Sequence, residues 1–445
     1  MSRASRLPVV ILGAGLAGLA AARQLRLSRR PYFLFEREAR VGGLCRSEKV
    51  AGFTFDYTGH LLHLARPESR ALILGELKLK NAFNLIQRRS FIHSHGVYTR
   101  YPFQANTYGL PSEVVLECLE GFVNARLEEA KKKPASAKAS AGRTIQPSFE
   151  DWIVRTFGLG IAKHFMRPYN TKLWGVPPSA MTTDWMGRFI PTPGLRDVLL
   201  GALKDRGEAV GYNAQFLYPK QGGIETLVKA FARDADARCG LAATSVDLKR
   251  CEVGLSNGQR VRASRIISTL PLPRLLSLCA GLPPAVARAK RRLRASSVFN
   301  VNFGLKGRNV SDKHWVYVPE ERFPFYRVGF CHNFAPANAP KGGSSLYAEI
   351  SYSRERPLDK AKAPEAVRRG LMDMGILKAT DKISARFIAD IPDAYVVYDS
   401  HRSQALNTIH GFLNENQVIS TGRWGAWEYG SMEDAIWQGV QAAKA

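Results

Sequence analysis

The stretch HFMRPYNTKLWGVP, His164 to Pro177, sets Arg167 and Lys172 among aromatics, prolines and one asparagine, Asn170, with no apolar stripe long enough to make it plain core. A second arginine, Arg327, closes another aromatic word, FPFYR, far along the chain. A planar guanidinium gives bidentate, charge-assisted bonds to a pyrophosphate, so two arginines from separate lobes could close a grip on one. Each could equally pair with an Asp or Glu where lobes meet. The segment around Arg167 therefore reads either as a helix end whose polar groups face a cavity or as an ordinary helix-to-loop junction.

Such side chains need elements to aim them, and the N-terminal region supplies the clearest ones. An apolar run, Val9 to Leu12, leads into Gly13, Gly15 and Gly18 at GxGxxG spacing, then into an Ala/Leu-rich segment. A second apolar run, Tyr32 to Phe35, ends in Glu36, at about the distance where a carboxylate reaches a ribose hydroxyl. The first glycine allows a tight turn, the second lets a pyrophosphate approach the backbone, and the third lets helix and strand pack closely. The free N–H groups and positive dipole end of the helix then face the phosphates.

After Glu36 comes REARVGGLCRS, where Gly42 and Gly43 would pass close to a second part of the ligand. This arrangement resembles the FAD-binding fold of the amine oxidase superfamily. YPKQGGIETLVKAF, SRIISTLPLP and QVISTGRWG, the last carrying Gly422 and Arg423, fit the same fold. The expected architecture is α/β: a Rossmann-like FAD-binding domain with a helical insertion and an antiparallel β-sheet domain. The flavin domain would be discontinuous, from 1–65, 211–275 and 405–445. Residues 66–210 should be mainly helical, with Ser112 as a helix cap and Val115 and Leu119 on a buried face, and should carry a flexible basic loop at 131–145. Alternating β-branched and aromatic words place an antiparallel sheet in 276–404.

Composition narrows the function. The chain has 445 residues, 45% of them hydrophobic, which suits a globular protein of more than one lobe. No apolar run reaches the roughly 18 to 20 residues of a membrane span, so a cytoplasmic protein is expected. Six scattered cysteines, without a CxxC or a His/Cys cluster, argue for reduced thiols and no metal site. The net charge of +26 could serve a polyanion or steer a small acidic ligand. Its two local clusters, Lys131, Lys132, Lys133, Lys138 and Arg143, then Lys290, Arg291, Arg292 and Arg294, read as solvated surface, and no nucleic-acid partner is expected.

Longer words carry a narrower likeness. GHLLHL (Gly59–Leu64), YPFQAN (Tyr101–Asn106), FEDWIVRTFGLGIAKHFMRPYNTKLWGVP (Phe149–Pro177), WVYVPEERFPFYR (Trp315–Arg327) and GRWGAWEYGSMEDAIWQG (Gly422–Gly439) occur in order over nearly the whole chain. Together they resemble the UDP-galactopyranose mutases, particularly the eukaryotic-type branch, within the FAD-dependent amine oxidase and protoporphyrinogen oxidase superfamily. The resemblance implies that Arg167 and Arg327 grip the diphosphate of a nucleotide sugar, with Asn170 beside them. Tyr317, Tyr395 and Tyr429 would donate hydroxyls to the phosphates, and Tyr101 with Gln104 would lie near the uracil. His60 would stand at the reactive edge of the flavin, with Arg88 near the same edge.

The implied reaction is interconversion of UDP-galactopyranose and UDP-galactofuranose, or a closely related nucleotide sugar, through an adduct between the sugar and N5 of reduced FAD. No net electron transfer occurs, and NADPH or NADH would only prime the flavin. Covalent catalysis lodged in a cofactor fits the absence of any side-chain triad. The chain departs from the family at His63, where an aromatic is usual, and at Ala105 of YPFQAN. Those changes bear on the sugar and nucleotide ends. Two rival readings share the fingerprint: an FAD-dependent oxidoreductase of the amine oxidase or protoporphyrinogen oxidase type, and a binding protein using its positive charge.

Overall fold

Residues 7–131, 147–187, 189–207 and 214–445 are described in the computed structural model. The basic loop expected at 131–145 lies outside them except for Lys131. Val9–Leu12 is buried at every position and sits at the centre of a five-stranded parallel sheet. The strand order is Val418–Ser420, Arg265–Ser268, Val9–Leu12, Tyr32–Phe35, Ala237–Arg238. Continuous apolar runs suit this position, because a parallel sheet is covered on both faces. Helix Leu16–Leu27 lies against it with Leu16, Leu19 and Leu25 buried. The last helix, Met432–Lys444, packs on that one so closely that a Cβ on Gly439 would fall 2.1 Å from the Ala17 carbonyl oxygen.

A seven-stranded sheet forms the second layer, in the order Ile383–Val396, Ala295–Leu305, Ser344–Tyr352, Arg327–Phe330, Trp315–Tyr317, Ser90–Ser94, Val97–Arg100. The expected strands of 298–390 all appear, with helix Ala363–Asp373 between them. All pairings are antiparallel except that of Trp315–Tyr317 with Ser90–Ser94. Residues 83–100 thus form strands inside a stretch expected to be mainly helical. Ser90–Ser94 and Val97–Arg100 complete the far edge of this sheet, while Phe83–Gln87 pairs with Gln215–Pro219 in a separate two-stranded sheet.

Helices Ser112–Lys131, Phe149–Ile161, Arg167–Trp174 and Leu195–Leu203 make up the helical part. Ser112 is the first residue of its helix, not its cap, and the buried face runs through Val114, Cys118 and Phe122. Val115 and Leu119 are only half-buried. Ser148 caps the second helix by accepting from the Asp151 amide, and Asp151 accepts from the Ser148 amide in return. A wider, π-type turn at Ala162–Met166 links it to Arg167–Trp174, which ends at Gly175 in the left-handed conformation. No helix among the described residues is long and apolar enough to cross a membrane. Nor is there a cluster of His, Cys, Asp or Glu able to hold a metal ion among them.

Candidate flavin and ligand site

The two sheets meet over a cavity of about 640 Å³, and one end of it is made of backbone. Gly13 leaves strand Val9–Leu12 at φ 94°, a left-handed conformation that favours glycine, and a Cβ there would fall 2.5 Å from Thr269 Oγ1. Gly18 has no such backbone demand but a harder steric one, since its Cβ would fall 1.9 Å from the Gly13 carbonyl oxygen. Gly15, Gly42 and Gly43 line the cavity beside the start of helix Leu16–Leu27. Glu36, buried and also on the cavity wall, accepts from the Ala14 amide at 2.8 Å and the Glu38 amide at 3.0 Å. Those bonds fix the carboxylate against the glycine turn, and its remaining lone pairs can take hydroxyl donors. Gly422, some four hundred residues further along the chain, closes the wall against Ala17.

The far end of the cavity is polar and aromatic. Arg327 and Glu349 are register partners on adjacent antiparallel strands, so their side chains share a face. They form a bidentate pair, Nε to Oε2 at 2.6 Å and Nη2 to Oε1 at 2.9 Å. Glu349 with its neighbours raises the Arg327 guanidinium well above its usual range although burial opposes it. Tyr395 and Tyr429 stack with ring centroids 6.0 Å apart, and Trp174 backs both from outside the wall. The Arg423 guanidinium lies over Tyr429 at 5.0 Å and donates to the carbonyls of Gly430 and Ala394. Phe189 stands edge-on to Tyr429 at 4.9 Å and also lines the cavity.

His60 lies on the same wall. Its Nδ1 is buried and has no hydrogen-bond partner among the described residues. Burial, with Arg423 adding and then Arg327, pulls the imidazole down to about 4, so it is neutral at physiological pH. The turn carrying His60 is held from below by Tyr347: a Cβ on Gly59 would fall 2.1 Å from the Tyr347 hydroxyl, and one on Gly329 2.1 Å from its ring.

Of the residues expected at the site, Gly13, Gly15, Glu36, Gly42, Gly43, His60, Arg327, Tyr395, Gly422, Arg423 and Tyr429 line this cavity. Gly18 does not line it, and instead sets the spacing of helix and strand. Arg167 is not brought to the cavity. It pairs with Glu150 of the neighbouring helix, within the helical part and not where lobes meet, and remains 41% exposed. Asn170 is also absent from the wall, its side-chain amide donating to the Met166 carbonyl one turn back.

Tyr101 and Gln104, expected near the uracil, gather elsewhere with Tyr317, expected at the phosphates, and Arg88, expected at the flavin edge. Tyr101 packs on Tyr317 at 4.9 Å, under the Arg88 guanidinium at 4.7 Å, and Gln104 donates to the Pro191 carbonyl. None of these four lines the cavity. Sequence reading missed Glu349, Tyr347, Tyr326 and Lys172. For Glu349 a signal existed, a lone acid alternating with Tyr347 and Ser351 inside the strand word SLYAEISYS, which is buried almost throughout.

A glycine turn that a Cβ would obstruct and a neutral histidine with an unpartnered buried nitrogen, both on the wall of one cavity, fit a flavin. The chain belongs to the flavin containing amine oxidoreductase family, which it matches over residues 16–445. FAD is accordingly its cofactor, and Gly13, Gly15, Glu36, Gly42, Gly43 and Gly422 line the cavity that could hold it. Among solved structures, it is similar to a reduced UDP-galactopyranose mutase at 29% identity and a TM-score of 0.88, over 98% of this chain and 95% of that one.

Curated relatives point to oxidases. Protoporphyrinogen oxidase 2 of Arabidopsis thaliana is 31% identical over 163 residues, which cover 36% of this chain and 31% of that protein. Coproporphyrinogen III oxidase of Mycobacterium tuberculosis is 26% identical over 317 residues, 67% of this chain and 66% of that protein. The chain therefore aligns with less than two thirds of the length of either.

Proposed function

We propose that the protein is a flavin-dependent mutase that interconverts the pyranose and furanose forms of UDP-galactose, or of a closely related nucleotide sugar, without net electron transfer. The observation that carries this reading is the polar end of the cavity, where Arg327 stands in register with Glu349 and two phenols stand beside Arg423. Cleaving the bond between an anomeric carbon and a diphosphate leaves negative charge on phosphate oxygens. A preorganised guanidinium and phenolic donors stabilise that charge more in a water-poor cavity than in solution. Burial pushes the Tyr429 phenol up, keeping it a donor across the working pH range. Reduced FAD, when bound, supplies the nucleophile that opening and reclosing a sugar ring without net redox requires.

The chain's own residues bind and orient. Arg327 would hold the diphosphate with the amino group that Glu349 leaves open, and Tyr395 and Tyr429 would share the remaining oxygens. His60, neutral, would offer a ring nitrogen to the flavin edge without carrying charge to it. Phe189 would shield the sugar from water at the mouth. NADPH or NADH would prime the flavin.

The test is direct. Protein reduced with dithionite should interconvert UDP-galactofuranose and UDP-galactopyranose, followed by chromatography, and oxidised protein should not. A second reading, an oxidase of the protoporphyrinogen type, is favoured by the two curated relatives. It would be preferred if several nucleotide sugars gave no conversion and a porphyrinogen reduced the flavin.

A further inference from the structure

Lys172 lies in the segment that drew attention to Arg167, and the cavity chemistry above makes no use of it. It is 2% exposed, on helix Arg167–Trp174, yet its ammonium group crosses to the turn between strands Trp315–Tyr317 and Arg327–Phe330. There Nζ donates to three backbone carbonyls, Val318 at 2.9 Å, Glu320 at 2.9 Å and Phe325 at 2.7 Å. Three N–H donors meet three acceptors, which leaves none of these groups unsatisfied in a buried place. The turn is otherwise closed by the Val318 amide donating to the Tyr326 carbonyl, the Phe323 amide donating to the Glu320 carbonyl at 3.3 Å and the Tyr326 amide donating to the Glu349 carbonyl. Its last residue is the one before Arg327. Both Tyr326 and Arg327 line the cavity, and the Tyr326 hydroxyl is buried with no partner among the described residues.

We infer that Lys172 is a positioning residue, a pin that fastens the helical part to the turn and so fixes where Arg327 presents its guanidinium. Removing the ammonium would strand the Val318 and Phe325 carbonyls and leave Glu320 only the longer bond from the Phe323 amide. The turn would then open toward water, taking the end of strand Arg327–Phe330 with it. The groups that bear on Lys172 are consistent with a charge held at some cost: burial pulls it down to about 7, Arg356 adds, and Glu320 and Glu321 oppose. The role differs from that of Glu349, which holds the Arg327 side chain, because Lys172 holds only backbone.

The test is a double-mutant cycle on flavin-loaded protein, comparing wild type, Lys172→Met, Arg327→Ala and the double variant. Two quantities are read: affinity for UDP by calorimetry and the flavin reduction potential by dye equilibration. Lys172→Met should weaken UDP at least fivefold and move the potential in the same direction as Arg327→Ala. In the Arg327→Ala background it should change neither further, because its effect passes through that side chain. Wild-type values for Lys172→Met, or effects that simply add in the double variant, overturn the inference.

The UDP arm rests on the nucleotide reading proposed above, and the potential does not. If wild-type protein fails to bind UDP, that reading falls while the potentials still decide the pin: coincident shifts support it, and additive shifts or none from Lys172→Met overturn it. Should Lys172→Met not retain flavin, Lys172→Gln, which keeps one amide donor, takes its place in the same cycle.

Discussion

The Arg327–Glu349 pair places an ion pair with a carboxylate only 1% exposed at the polar end of the cavity. Its two members answer differently to mutation. Arg327→Ala should weaken UDP binding by about 1.5 to 3 kcal/mol, roughly tenfold or more, while FAD stays bound. It also leaves Glu349 charged and buried without its partner, an arrangement that typically costs about 3 to 5 kcal/mol of stability. Adding Glu349→Gln should therefore restore the melting temperature but not the UDP affinity, and recovery of both would mean that Arg327 does not bind the nucleotide. His60 gives a pH prediction. Because its folded value of about 4 lies below the unfolded 6.5, the unfolded chain binds more protons between them. His60 thus contributes stability that is present above pH 6.5 and lost as the pH falls toward 4. Ring nitrogen shifts in NMR should show it neutral from pH 5 to 8, and an imidazolium signal for His60 at pH 6 would refute the assignment.

Elements determine which of these residues could be read in advance. The glycine turn was legible because its spacing encodes local geometry: Gly13, Gly15 and Gly18 act within one strand, one turn and one helix. Gly18→Ala should push that helix off the strand, since the added carbon meets a backbone oxygen at 1.9 Å, and the purified variant should lose FAD on dialysis. Full FAD retention would show that the helix can shift without cost to the cradle. Glu349, Tyr347 and Lys172 were less legible, because their partners arise from sheet register and from a helix meeting a distant turn. Arg167 lies away from the cavity for a related reason. A motif gives its spacing, but the π-type turn at Ala162–Met166 resets the helical phase just before it, and Glu150 one helix away takes the guanidinium. Strand Ser90–Ser94 escaped notice because the sheet edge that orders it is built by Trp315–Tyr317, more than two hundred positions later, and Phe83–Gln87 because its partner is the distant Gln215–Pro219.

At the scale of the whole molecule, the formal charge of +26 is spread over many surface lysines and arginines. Such a field raises the encounter rate of an anionic ligand and is screened by salt. The association rate of UDP should fall several-fold between about 0.01 M and about 0.15 M ionic strength with little change in its dissociation rate, measured by stopped flow. Equal slowing of both arms would assign the charge another purpose. The seat of helix Met432–Lys444 upon helix Leu16–Leu27 has its own bearing on biogenesis. The glycine turn near Gly13 waits for a helix made more than four hundred residues later before the cavity wall that Met432 and Ala435 complete can close around a prosthetic group. Chains that stop short of helix Met432–Lys444 should therefore remain colourless however well their other lobes fold.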